Sequence, residues 1–191
     1  MDLLYAPNTT TVGTVDFRPY MVEVAWSYCQ LVLGATLKRG MIEQTLAALA
    51  IEIVLKSYNA VVVDNVGELN ETYQFQLPAG AKVSNKHNLV ALAGLLRADL
   101  RQFLIEPLDE ARLEENQDAF SNSRYYYEAS APTSSSGSAM KLAIKLICKT
   151  LFLYKQRGCT DPFVIAFDVN AVYFTYVQRF AFVSTATELK C

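Results

Sequence analysis

GMIEQTLAALAIEIVLKSY, Gly40–Tyr58, is the stretch on which the fold turns. Ile42, Leu46, Leu49 and Ile53 recur at helical spacing, and Ile51, Val54 and Leu55 make the remaining faces apolar too. A helix hydrophobic all round belongs at the centre of a packed domain, and the pattern predicts one from Met41 to Val62. Its inner charges, Glu52 and Lys56, stand four residues apart in the order that favours an ion pair. A charge inside a buried helix needs a partner. The pair is therefore either a packing device or one wall of a polar pocket.

Working outward, Pro19–Lys38 reads as a helix opened by Pro19 and stopped at Gly40. Asp64–Asn85 reads as a loop with a short strand in TYQFQL. Lys86 to Ile105 is expected as one helix with Leu89, Leu92, Leu96, Leu100 and Phe103 on a common face, ended or bent at Pro107. Glu110–Glu128 is more polar, with a short helix leading into SRYYYE, and Ala131–Gly137 is a flexible connection. Ser138–Gln156 is the last convincing helix, closed by Gly158. Beyond it, Val172, Phe174, Tyr176, Phe180 and Phe182 alternate with Tyr173, Thr175, Val177, Arg179 and Ala181. That is strand periodicity, and it predicts a β-hairpin, Phe163–Val169 and Val172–Phe182, with a helix as the alternative.

The expected fold is mainly α: an up-and-down bundle of four or five helices with a small β elaboration from the N- and C-terminal segments. Residues 1–191 form a single domain, with the bundle at 18–157 and a hairpin or tail at 158–191 that pairs with 1–17. A chain of 191 residues buries roughly 70% of its unfolded surface. With 52% hydrophobic and 19% charged residues, it needs neither disulfide nor metal to hold a core. Its four cysteines, at 29, 148, 159 and 191, lack C-x-x-C spacing and suit free thiols in a reducing cytoplasm. The start shows no basic, apolar leader of the secretory kind. Phe163–Val183 carries Asp168 and Arg179, too costly for a membrane span.

A net charge of −2 and a pI near 5.5 argue against a strong phosphate-backbone binder. The one dense basic run is Lys141, Lys145, Lys149, Lys155 and Arg157. Its first three lysines, four residues apart, form a ridge on one side of a helix and read as a solvated face.

Three segments together, GMIEQTLAALAIEIVLKSY, KHNLVALAGLL and FSNSRYYYE followed by a helix, resemble a HEPN-type helical domain over residues 40–155. The resemblance implies a helical bundle, often dimeric, in a family running from metal-independent RNases of defence systems to non-catalytic scaffolds. Its RNases carry an R-x4–6-H motif, and this chain departs from it. The sole histidine is His87, with Lys82 the nearest basic residue at that spacing, and Arg124 is followed by Tyr125, Tyr126, Tyr127 and Glu128 without a histidine.

Metal-free RNA cleavage needs a base for the 2′-OH and a cation for the phosphorane. Arg124 can supply the cation, but nothing beside it in sequence is a base at pH 7, a role open to Glu52 only with its pKa raised by burial. Against that chemistry stand plain readings. Glu52 and Lys56 form a packing ion pair, Glu52 meets Arg124 as a buried bidentate pair, and His87 faces solvent or caps a helix. Tyr125 and Tyr127 divide between core packing and an interface rather than stack on bases. Together, Glu52, Lys56, His87, Arg124, Tyr125, Tyr127 and Glu128 are the candidate binding or structural polar pocket. No carboxylate cluster has metal-ligand spacing, and no phosphate loop or serine elbow is present, so no cofactor or metal is expected.

The function expected from the sequence is a non-catalytic, HEPN-like interaction module. It acts as a homodimer with a protein partner, away from membranes, in a bacterial or phage stress or defence system. An atypical RNase or RNA-binding toxin using Arg124, Glu128 and Glu52 is one alternative. A small-ligand sensor with an apolar pocket between helices is the other.

Overall fold

The computed structural model describes residues 4–36, 40–68, 70–119 and 137–178. In chain order the elements are α1 (Pro19–Leu33), α2 (Gly40–Ser57), β1 (Ala60–Asp64), β2 (Thr72–Phe75), α3 (Leu89–Gly94) and α4 (Ala98–Leu104). They continue with α5 (Pro107–Glu115), α6 (Ser138–Gln156), α7 (Pro162–Ala166), α8 (Val169–Val172) and a π-helical turn, Tyr173–Gln178. The chain is mainly helical, and no described helix is long and apolar enough to cross a membrane.

Three long helices make the centre. In α1 the buried positions Val22, Ala25, Cys29 and Val32 step by three and four, one apolar stripe. In α2 burial covers Ala47, Ala48, Ala50, Ile51, Val54 and Leu55. The most enclosed helix is α6, buried at almost every position from Ala139 to Tyr154. Ile51, Leu55, Leu146 and Leu151 are virtually inaccessible, and each such side chain contributes about 1.5–3 kcal/mol of transfer free energy. Polar links set the directions. Tyr58 Oη donates to Thr150 Oγ1 at 2.9 Å, while Gln44 bonds Asn116 (2.8 Å), which donates to Ser138 Oγ (3.3 Å). So α2 and α6 run parallel. The Arg18 amide donates to Tyr154 Oη at 3.2 Å, which sets α1 antiparallel to both.

The central helix is shorter than its apolar run. It ends at Ser57, and the β-branched AVVVD segment leaves as β1, antiparallel to β2 with Ala60 opposite Phe75 and Val62 opposite Tyr73. Asn65 and Gly67, both at positive φ, turn the chain between them. The helix expected over Lys86–Ile105 is two. The Asn88 side chain accepts from Ala91 N at 2.8 Å to begin α3, and tight bonds from Leu95 to Leu92 and from Leu96 to Ala93 close it. The break leaves Leu92, Leu96 and Leu100 all buried.

The β elaboration is not where the alternation placed it. The sheet is β1–β2, in mid-chain, and Phe163–Gln178 is helical rather than a hairpin. Two aspartates explain this. Asp161 Oδ1 accepts from Phe163 N and Val164 N (2.9 and 3.1 Å) with Pro162 in the first turn, and Asp168 Oδ1 accepts from Ala171 N (2.9 Å). The remainder of the expected hairpin, 179–182, lies outside the described residues. The N-terminal segment meets this region by packing, not strand pairing. Tyr5 N donates to Asn170 Oδ1 at 2.8 Å and its ring stacks on Tyr173 at 3.9 Å. Farther along, Val12 is buried and Gly13 N donates to Asp99 Oδ2 at 2.8 Å.

Candidate functional site

Glu52 lies five residues before the end of α2, on the side that faces the loop leading into α3. That loop is shaped locally: Asn85 Oδ1 accepts from His87 N at 2.9 Å, an Asx turn. Asn88 then caps α3, whose Leu89 and Leu92 are buried. The combined effect lays the imidazole over α2. His87 Nδ1 stands 3.0 Å from Glu52 Oε1 and 3.1 Å from Oε2, and Lys56 Nζ donates to Oε1 at 2.6 Å. Exposure falls inward, from 47% for the His87 side chain through 18% for Lys56 to 5% for Glu52. The Lys56 ammonium also sits 5.4 Å over the Phe75 ring, a cation–π contact that ties β2 to the centre.

The structure thus brings together Glu52, Lys56 and His87, three of the residues expected in a polar pocket. His87 is exposed, as its solvent-facing reading has it, and its Nδ1 also reaches the buried carboxylate. Arg124, Tyr125, Tyr127 and Glu128 lie outside the described residues, and with them the expected Glu52–Arg124 contact.

A second charged centre went unread in the sequence. Lys145 and Lys149 are buried rather than solvated, so the ridge reading fails at two of its three lysines. Lys145 Nζ donates to Asp109 Oδ2 (2.6 Å) and Glu106 Oε2 (2.8 Å). Lys149 Nζ donates to Glu106 Oε1 (2.8 Å) and to the carbonyls of Phe103 (2.8 Å) and Leu104 (3.2 Å). Asp109, wholly buried, also accepts from Arg112 Nη1 at 3.1 Å. The acids are aimed by a capping box: Glu106 takes the amide of Asp109, and Asp109 takes that of Glu106, with Pro107 in the first turn. Burial acts to raise the Glu106 carboxyl, but the two lysines outweigh it and hold it down at about 2. Burial likewise pulls the Lys149 ammonium below its ordinary value, with Glu106 opposing. The signal was present in EPLDE: two acids three apart around a proline, one helix before the lysines.

Among the described residues no group of three His, Cys, Asp or Glu side chains is placed to hold a metal ion. Two surface clefts are open to solvent. One, about 360 Å³, is lined by Phe17, Glu68, Glu71, Cys159 and Asp161 among others. The other, about 320 Å³, lies along the loop before His87, with Lys82, Asn85, Asn88 and Asp118. Glu71 and Asp161 are already engaged, by Gly67 N and Tyr73 Oη and by the α7 amides. Comparison with models of known protein families, with curated proteins and with solved structures yields no match.

Proposed function

We propose that this chain is a non-catalytic, HEPN-like interaction module that works as a homodimer in a bacterial or phage stress or defence system. One observation carries the non-catalytic reading: both oxygens of the Glu52 carboxylate are engaged within the fold, by Lys56 and His87. A carboxylate so held joins α2, the pre-α3 loop and, through Lys56 and Phe75, the sheet. Its work is to fix three segments against one another. The dimer has its support in the sequence resemblance, and Leu31 near the end of α1 and Ile42 near the start of α2, 63% and 49% exposed, are apolar side chains that a second copy could cover. The defence setting has its support in the sequence resemblance.

Sedimentation equilibrium tests the dimer. The wild type should sediment at twice the 21.3 kDa chain mass, and Leu31→Glu with Ile42→Glu should sediment as the single chain. A wild-type monomer at every concentration up to about 100 μM, a range that covers affinities down to roughly −5.5 kcal/mol, contradicts the dimer.

A second reading, an atypical metal-independent RNase, is favoured by the same His87–Glu52 pair. A carboxylate beside the imidazole Nδ1 orients the ring as the partner of a general base does. On that reading cleavage depends on His87, on Glu52 as its positioning partner, and on Arg124 as the cation.

A further inference from the structure

The two-stranded sheet has one edge met by a side chain and one left bare. Asn59 O accepts from Gln76 N at 2.9 Å, and the register sets Ala60 opposite Phe75, Val61 opposite Gln74 and Val62 opposite Tyr73. Ladder bonds alternate along an antiparallel pair. Asn59 and Val61 therefore bond across to the facing strand, while Ala60 and Val62 turn their backbone groups away from it. On β2 the outward positions are then Tyr73 and Phe75. The β1 edge is met by Arg18, whose Nε donates to Ala60 O at 2.9 Å. Among the described residues nothing bonds the backbone N–H or C=O of Tyr73 or Phe75. Natural sheets guard such an edge with lysine, proline or a bulge. The TYQF of β2 has no lysine or proline, and the bulge, between Val62 and Asp64, is on β1.

Charge selects the occupant. From Asn59 to Ala81 the chain carries Asp64, Glu68 and Glu71 and no lysine, arginine or histidine. The cations that touch the sheet among the described residues are already matched: Arg18 by Asp16 (3.4 Å), and Lys56, over the Phe75 ring, by Glu52 (2.6 Å). Glu71, just before β2, lines the cleft of about 360 Å³ together with Glu68 and Asp161, and none of that cleft's lining residues is basic. A second copy pairing edge to edge would set one acidic hairpin against another. A basic strand is instead drawn to these acids.

We propose that the bare edge of β2 takes an extended, lysine- or arginine-bearing peptide of a partner protein as a third strand, bonded to the backbone of Tyr73 and Phe75. Main-chain bonds of this kind supply affinity, and the acids of the hairpin select the charge of the strand. Thr72 and Gln74, the other two residues of β2, are exposed and leave room for the incoming chain. The proposal stands without the dimer and without either reading of His87.

The probe is a blocked peptide alternating lysine and valine over about seven residues, enough to span the 4 residues of β2. It is titrated into the full chain by calorimetry, and amide hydrogen exchange is followed residue by residue by nuclear magnetic resonance. Two control peptides carry glutamate in place of lysine, or proline in place of the central valine. The lysine peptide should bind saturably and slow exchange at the Tyr73 and Phe75 amides about tenfold or more. Both controls should bind about tenfold more weakly or worse, one for its charge and one for its missing donor and fixed backbone. Thr72→Lys with Gln74→Lys, two exposed positions, should weaken the lysine peptide by about tenfold as well, with the fold verified by circular dichroism. Absence of saturable binding overturns the proposal. So does equal binding of the proline peptide, which would leave charge alone as the cause, and so does binding that leaves the Tyr73 and Phe75 amides unprotected. Slow exchange of those amides in the free chain would seat this chain or a second copy on the edge, and overturns it too.

Discussion

Replacing Glu52 with Gln leaves Lys56, 18% exposed, facing a neutral amide. Breaking one side of a buried pair costs about 3–5 kcal/mol, and the exposure of Lys56 puts the expected loss near the low end, about 3 kcal/mol. His87→Ala should cost about 1 kcal/mol or less, since that ring is half in solvent. Urea denaturation checks both, and a cycle with Lys56→Met should show less than additive loss. Glu106 adds a pH dependence. Its folded carboxyl lies at about 2 against an ordinary 4.5. The stabilisation is therefore complete above about pH 4.5 and disappears as the pH falls towards 2. The urea midpoint should drop across that window, and Glu106→Gln should flatten the drop. At this scale the Glu52–Lys56 pair was legible, because i,i+4 spacing on an apolar helix states it outright. His87 was not, because its partner Glu52 lies 35 residues away in sequence and the Asx turn at Asn85 and the Asn88 cap decide where its ring lies.

Helix ends carry the element-scale predictions. Gly158 follows α6 at φ +78°, letting Cys159 N bond back to Tyr154 O at 3.0 Å, and a Cβ there would meet nothing within 4 Å. Gly158→Ala should therefore cost about 1 kcal/mol through backbone conformation alone, again read by urea melts. Asn88→Ala removes the α3 cap and its bond to Asp118 and should cost about 1–2 kcal/mol. Long helices were legible from apolar spacing, with α6 ending at the expected glycine. The aromatic alternation of Val172–Phe182 misled because it reports residue shape, whereas Asp161 with Pro162, and Asp168, report how a helix begins. The caps and the packing of α8 and the π-helical turn on α6 decide the outcome. The lysine ridge misled for a related reason: spacing says which side chains share a face, and only the acids of α5 say that the face is interior.

At the scale of the whole molecule, burial should show in thiol chemistry. Cys29 and Cys148 are inaccessible, and burial pushes the first thiol up to about 12 and the second higher still. Ellman's reagent should leave both unreacted in the native chain and modify them at the rate of unfolding, a rate that Glu52→Gln should increase. The mainly helical class was legible from composition and periodicity. Which polar groups meet was not, because the Glu52 and Glu106 centres join segments far apart in the chain. The central claim is that the Glu52 centre is architecture and not chemistry. Cleavage of varied RNAs without metal, by wild type beside His87→Ala with folding of both verified by circular dichroism, tests it most directly. The interaction module predicts no cleavage by either protein. Cleavage by the wild type that vanishes in a folded His87→Ala would contradict it and make the Glu52–His87 pair catalytic machinery.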